Sequence, residues 1–379
     1  MGGDVAPWSF HLLSAMFVLS SYVGRRAALV RSAGITYPPM SILLLGPSGT
    51  GKGLALSKAM RVLVSAASDL PGFYLGEGGF TVRGVTQEWQ NLQRSTPGIL
   101  EGAHIEDEIS NVLTERTGTE TIITWLIRAL AQQDLVDLTA AHGRTVVSGV
   151  TCAFGLGSTV SYLRRSVSVD AFTGGLMHRF LVAHENLQRE TDEHLASEGN
   201  VAHLVATLRA LRKAAPANLE VAPAAERRLR LHRSQAAIRH YDSQHLAGFW
   251  NRYPMLVLRV GSLYALAEGD FTVDVKHLEP AEALLQTKLY PVLGALVDEM
   301  AASREKKRLL DVADDLLAAG PEGWDFPTLY KKTNALSPRS QADSLAALIA
   351  QGLVFQHQKR LYGKKAWRDE QVARDAAED

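Results

Sequence analysis

The apolar positions change period several times along the chain, and each change marks an element. From Trp8 the run FHLLSAMFVLSSYVG continues into GRRAALVR, and its apolar density predicts a buried amphipathic helix over residues 8–33 with a basic end. Pro38-Pro39 then punctuate the chain. SILLL (41–45) is short and wholly apolar, as a strand buried on both faces is. A loop covers 46–52, and helical spacing resumes from about 52 to 67. GFYLGEGGFTVRG (72–84) reads as loop or short strands. TQEWQNLQ (86–93) starts a helix with a threonine cap, Thr86. GILEGAHIEDE (98–108) is a second strand, and 118–133 an amphipathic helix. DLVDLTAAHGRTVV (134–147) reads as a hairpin, RTVVSGVTCAFGLGST (144–159) as a third strand and HRFLVAHE (178–185) as a fourth. Strands alternating with helices predict an α/β core with a parallel sheet.

Near residue 195 the pattern turns almost entirely helical and poor in glycine, up to about 303. A last segment has the order helix, short helix, helix, hairpin. The expected organisation is therefore an N-terminal helical segment (1–40), an α/β core (41–194), a helical lid (195–303), a winged helix-turn-helix (304–368) and a charged tail (369–379).

Composition narrows the classes. Of 379 residues 46% are hydrophobic and 21% charged, enough for a large core and unlike a disordered chain. Lys+Arg and Asp+Glu both number 40, so any basic surface is local rather than global. The single cysteine, Cys152, excludes a disulfide framework and fits a reducing, cytoplasmic setting. The first apolar run stops at Arg25-Arg26 after about fifteen residues, short of the roughly 20 a membrane helix needs. Asp4 precedes it where a signal peptide would carry basic residues.

GPSGTGKG (46–53) nearly spells G-x-x-x-x-G-K-[ST], between a strand and a helix. Gly46, Pro47, Ser48, Gly49, Thr50, Gly51, Lys52, Gly53 and Leu54 would then bind a nucleotide. Backbone N–H groups wrap phosphate oxygens, the helix aims its positive end at them, and Lys52 supplies a point charge. The last position normally offers a hydroxyl to Mg²⁺, and this chain has Gly53 there. Nucleotide binding is expected to survive; metal affinity and hydrolysis are expected to fall.

AHIEDEIS places Asp107 and Glu108 at a strand end some 55 residues after Lys52. Asp107 would hold Mg²⁺, directly or through water, and Glu108 would polarise the attacking water. Glu106, facing the other way in an alternating strand, is the decoy. After the third strand, Ser158 or Thr159 is a candidate γ-phosphate sensor, or a helix N-cap. Arg179, just before the fourth strand, is a candidate for reaching into a neighbour's site. Arg252 and Arg259, seven residues apart, offer a second sensor or simply exposed arginines; Pro254 between them suggests that the helix starts there.

Nucleic-acid contacts have several candidates. Gly143-Arg144 at the hairpin tip is one. In the last segment Ser337 caps a helix with Pro338 at its first position, which presents Arg339. Lys359, Arg360, Lys364 and Lys365 lie near the tip of the final hairpin, where a wing touches phosphates. The same fold also serves protein contacts.

The stretches GRRAALVRSAGITYPPMSILLLGPSGTGKGLALSKAM, IEDEIS, GGLMHRFLVAHE and LRVGSLYAL together resemble the primase/helicase-associated P-loop ATPases of phages and mobile elements. More broadly they are similar to AAA+ ATPases of the superfamily III and minichromosome-maintenance helicase kind. The resemblance covers about residues 20–290. It implies an ATP- and Mg²⁺-dependent, DNA-stimulated ATPase that assembles as a hexameric ring on DNA. Gly51 and Lys52 carry over to nucleotide binding, Asp107 and Glu108 to metal and water activation, Arg179 to the trans-acting finger, and Ser158 or Thr159 to the first sensor. Primase motifs are absent, so a primase would be a separate partner. Family members carry Ser or Thr where this chain has Gly53, which leaves open a nucleotide-dependent DNA-binding switch or loader with slow or no hydrolysis.

Overall fold

A computed structural model describes residues 6–31, 34–79, 81–96, 100–109, 119–132, 135–139, 143–167, 175–185, 198–242 and 247–296, and parts of 324–363. The chain divides into two compact units, Met1–Val297 and Asp298–Asp379.

The centre of the first unit is a five-stranded, all-parallel sheet. Its strands are β3 (Ser41–Leu45), β4 (Phe73–Glu77), β5 (Leu100–Glu106), β8 (Val150–Ser158) and β9 (Phe180–His184), in the order β4-β5-β8-β3-β9. All of β3 and β8 is buried, which accounts for their unbroken apolar runs. Helices cover both faces. Gly155 on β8 faces Phe17 of α1 (Trp8–Val23) and Leu56 of α2 (Lys52–Ala67). Its neighbour Phe154 packs on Trp89 of α3 (Val82–Ser95) and Trp125 of α4 (Thr119–Leu130) on the opposite face. The architecture is α/β, with helices on both sides of a parallel sheet.

The element boundaries depart from the sequence pattern in several places. The first helix ends at Val23 rather than running to 33. The backbone N–H of Gly24 returns to Ser20 O, and Arg25 N is taken by Glu101 Oε1 at 2.5 Å. The chain then forms β1 (Ala28–Arg31) and β2 (Gly34–Thr36), held by long-range pairing that local periodicity cannot show. The cap of α3 is Thr81, whose Oγ1 accepts from Gly84 N. Thr86 lies inside that helix and donates to Val82 O. The single strand expected over 144–159 is two: β7 (Gly143–Val147) pairs antiparallel with β6 (Leu135–Thr139), while β8 joins the main sheet. Arg144 is the second residue of β7, opposite Leu138, and not the tip itself; residues 140–142 lie outside the described set.

The later part of this unit holds α5 (Val160–Ser166), α6 (Glu198–Ala214), α7 (Pro223–Asp242), α8 (Ala247–Glu268) and α9 (Val275–Leu284), the last followed by a π-helical turn, Leu285–Leu289. It also contains two short strands, β10 (Asn218–Val221) and β11 (Thr272–Val273). These complete a second sheet with the order β11-β10-β1-β2. Pro254 does not start α8 but lies inside it. The first turns are anchored instead by Phe249 and Trp250, whose rings pack on Tyr290 with centroids 5.3 and 4.6 Å away.

In the second unit β12 (Trp324–Asp325), β13 (Val354–His357) and β14 (Arg360–Gly363) form an antiparallel sheet in the order β12-β14-β13. Val354 and Leu361 are buried in it. Among the described residues no helix is long and apolar enough to cross a membrane.

Candidate functional site

Parallel strands bring their carboxyl ends to one edge of the sheet. Leu45 pairs with Ser158 on one side and with His184 on the other, and Glu106 stands one strand further, opposite Leu156. The residues that follow these strands therefore meet: the loop 46–51, Asp107-Glu108, Ser158-Thr159 and Glu185. Gly46 N donates to Ser158 O at 3.2 Å, and Glu185 N to Leu45 O at 2.9 Å. Gly157 lets the strands close here, because a Cβ on it would strike the backbone carbonyl of Asp107.

The loop has the curvature its glycines allow. Gly49 and Gly51 have φ of 82° and 84°, and Gly51 is the N-cap of α2 with no side-chain cap. Lys52 is the first residue of that helix and is buried. Its Nζ donates to Gly46 O at 2.7 Å and Pro47 O at 2.8 Å, so the side chain folds back over the loop. Burial lowers its pKa, against the upward pull of Glu108 and Asp107. Both carboxylates thus act on the ammonium. Ser48 is exposed on the loop, and Thr50 Oγ1 bonds Pro47 O at 2.8 Å, bracing the turn. Leu54 follows Gly53 in the first turn of α2.

Asp107 is exposed and its carboxylate faces Gly53: a Cβ at that position would lie 3.5 Å from Asp107 Oδ2. Ser158 is fully buried, and its one hydroxyl proton has two acceptors in reach, Thr159 O at 3.2 Å and Glu108 Oε1 at 3.5 Å. Thr159 acts as a helix N-cap, accepting from Tyr162 N at 3.1 Å, so of the two hydroxyls only Ser158 faces the acidic pair. Glu106 is more than a decoy. It is buried, and its Oε1 accepts from Glu108 N at 3.0 Å, which fixes the turn that carries both acidic residues. Sequence pattern had no signal for this, since the bond depends on the strand ending at Glu106.

Arg179 lies elsewhere. It precedes Phe180, which pairs with Ser41 at the start of β3, so it sits at the opposite edge of the sheet from the loop. Arg179 precedes the Ser41–Phe180 pair and the loop follows Leu45, so about 20 Å of strand separates them at about 3.3 Å per residue. Arg252 and Arg259 do not join Lys52 either. With Arg179 and His178 they line a cavity of about 200 Å³. Arg179 Nη1 donates to Gly175 O, and the Arg252 guanidinium reaches the same glycine. Arg259 Nε is buried and has no hydrogen-bond partner among the described residues. Burial, with the neighbouring guanidinium charges, pushes Arg179 and Arg259 down to about 10. Burial also lowers Arg252. Three like charges are thus gathered around one part-buried cavity.

Among the described residues no group of three or more His, Cys, Asp or Glu side chains is placed to hold a metal. The donors at the loop suit a hard cation bound by one or two carboxylates, with phosphate and water oxygens completing its shell, as Mg²⁺ is. Of the nucleic-acid candidates, Arg360 opens β14 opposite His357 and also pairs with Asp325. Arg339, Lys359, Lys364 and Lys365 lie outside the described residues.

No protein-family model matches the chain, and no curated protein matches it.

Proposed function

We propose that the chain is a P-loop ATPase of the AAA+ kind, an oligomeric, ATP-dependent motor acting on DNA. The observation that supports this best is the meeting of Lys52, Asp107, Glu108 and Ser158 at the carboxyl edge of one parallel sheet. The chain leaves β3 for β4 on one side of the sheet and later crosses from β8 to β9 on the other. Ligands of open α/β sheets sit in the crevice at such a reversal.

In this reading the backbone of residues 48–53 cradles the β- and γ-phosphates. Lys52 turns from the carbonyls of Gly46 and Pro47 to the phosphate oxygens. Asp107 would hold Mg²⁺, and the ion would supply positive charge beside those oxygens. Glu108 takes the proton of the attacking water, and the Ser158 hydroxyl orients that carboxylate and the γ-phosphate. Arg179, too far from its own loop, meets the phosphates of a neighbouring copy with Arg252 and Arg259 beside it. That arrangement requires a ring or filament.

The second unit fits a winged helix. A strand pairing with the far strand of a hairpin is the sheet such a fold uses, and Arg360 opens that far strand. Arg339, Lys364, Lys365 and, from the first unit, Arg144 complete the proposed DNA contacts.

A DNA-stimulated ATPase assay and nucleotide titration test the proposal. Wild-type protein should bind ATP, and Lys52→Ala should not. No binding by wild type, or unchanged binding by the variant, sinks it. Gly53 favours a second reading, a switch or loader that binds ATP and DNA, turns over slowly and recruits a replication or transposition partner. Strand separation with ATP supports the motor; assembly without separation supports the switch.

A further inference from the structure

The loop accounts for phosphates, and phosphates do not distinguish a nucleotide from inorganic polyphosphate. Some other group must meet the base. The chain just before α1 lies against the loop: a Cβ on Gly51 would stand 2.6 Å from Ala6 Cα. Two residues past Trp8's other neighbour Pro7, the turn is tied down again, for Ser9 Oγ donates to Glu185 Oε1 at 2.6 Å. Glu185 is itself bonded to Leu45, the last residue before the loop. Trp8 lies between these two attachments.

Its indole is 72% exposed. Single exposed apolar residues are ordinary on a protein surface and need no explanation. Two features set this one apart. Among the described residues it is the one aromatic among the exposed large apolar side chains, the others being Val, Ile and Leu. It also stands on a rigid mount, since Phe10, Leu13 and Phe17 of the same helix are buried to 0–1% exposure. An exposed indole, on a segment whose flanking residues Ala6 and Ser9 contact Gly51 and Glu185 at the loop, is a surface an aromatic base can stack on.

We propose that Trp8 stacks on the base of the nucleotide whose phosphates occupy residues 46–53. The proposal rests on the loop holding a nucleotide at all. It assigns Trp8 to nucleotide selection: stacking favours a base over bare phosphate and purines over the smaller pyrimidines, with little choice between adenine and guanine.

Calorimetric titration of the full chain with ATP, UTP and inorganic tripolyphosphate tests it, using wild type, Trp8→Ala and Trp8→Phe. Trp8→Ala should bind ATP roughly tenfold more weakly, within the range of one lost base–aromatic stack. Its affinity for tripolyphosphate should be unchanged, which also reports an intact loop. Trp8→Phe should recover most of the loss, and the ATP preference over UTP should shrink in Trp8→Ala. If Trp8→Ala binds ATP as wild type does, or if ATP and tripolyphosphate weaken alike, the assignment to Trp8 is overturned while the loop stands. If neither ligand binds wild type, the nucleotide reading of the loop fails first.

Discussion

Asp107 and Gly53 are neighbours across the carboxyl edge of the sheet, the aspartate Oδ2 lying 3.5 Å from where a glycine Cβ would be. That is ordinary contact distance, so a small side chain fits without moving the aspartate. The missing hydroxyl is therefore not excluded by crowding. Gly53→Ser should place a second oxygen beside Asp107, where Mg²⁺ would sit. Serine is also the better helix former, by about 0.5 kcal/mol. We expect a lower Mg²⁺ half-saturation and faster ATP hydrolysis, with thermal stability equal or slightly raised. Steady-state hydrolysis across a Mg²⁺ titration measures this. Slower hydrolysis would mean that the site is built around glycine.

Glu108 and Glu106 should separate chemistry from positioning. Glu108→Gln keeps the size and the approach to Ser158 but cannot take a proton. Hydrolysis should fall by about 10²–10⁴-fold with ATP affinity nearly unchanged. Glu106→Ala removes the acceptor of Glu108 N. It should lower turnover less severely and also reduce stability, by about 1 kcal/mol for the lost part-buried hydrogen bond. Single-turnover hydrolysis with a denaturant melt distinguishes the two.

The arginine cluster should be a net burden on the fold when empty. Arg179 and Arg259 are held near 10 by burial and by neighbouring guanidinium groups, below their ordinary value. A base depressed in the folded state destabilises it while charged, so the penalty is full below about 10 and is relieved as pH rises through that value. At neutral pH, Arg259→Met should therefore stabilise the chain, by about 1 kcal/mol. Sulfate should raise the melting temperature of wild type more than that of the variant. Equal melting shifts would show that the cavity holds no anion.

His104 carries the expected acid sensitivity. Its Nε2 is 2.9 Å from Gly78 O, so that nitrogen bears the proton and Nδ1 accepts from Tyr74 OH at 3.0 Å. Burial lowers its pKa. The unfolded chain then takes up a proton near pH 6.5 that the folded one refuses, and stability falls as pH drops below about 6.5. Tyr74→Phe removes the buried hydroxyl–imidazole bond and should cost about 1 kcal/mol. Urea melts at pH 7.5 and 5.5 give both numbers.

Elements stabilised by their own residues were legible in the sequence. SILLL has one reading as a buried strand, and Lys52–Ala67 begins where the glycines end. The parallel order of the sheet follows from helices lying between the strands. The parts that depend on distant partners were not legible. Ala28–Arg31 looks like the tail of an apolar helix, and becomes a strand because Asn218 and Leu219 pair with Ala28 and Leu29. Arg252 and Arg259 read either as the source of a second γ-phosphate sensor or as exposed arginines of a core helix, and tertiary packing gathers them with Arg179. Glu106 and Trp8 carried no motif; each gains meaning only from what the fold puts beside it.

Ala6 touches Gly51, and α1 follows directly. Its sixteen residues make a rod about 24 Å long. The rod packs on β3, β5 and β8, on α2, and on α6 and α8. At its far end a single tight turn, Gly24–Ala27, delivers the chain into β1 and so into the sheet shared with β10 and β11. The helix thus ties the loop to β1 through one packed element. A shift of the loop on filling with phosphate would reach β1 along α1 and through the Gly24–Ala27 turn. Fluorescent labels on β1 should report the arrival of a ligand at the loop.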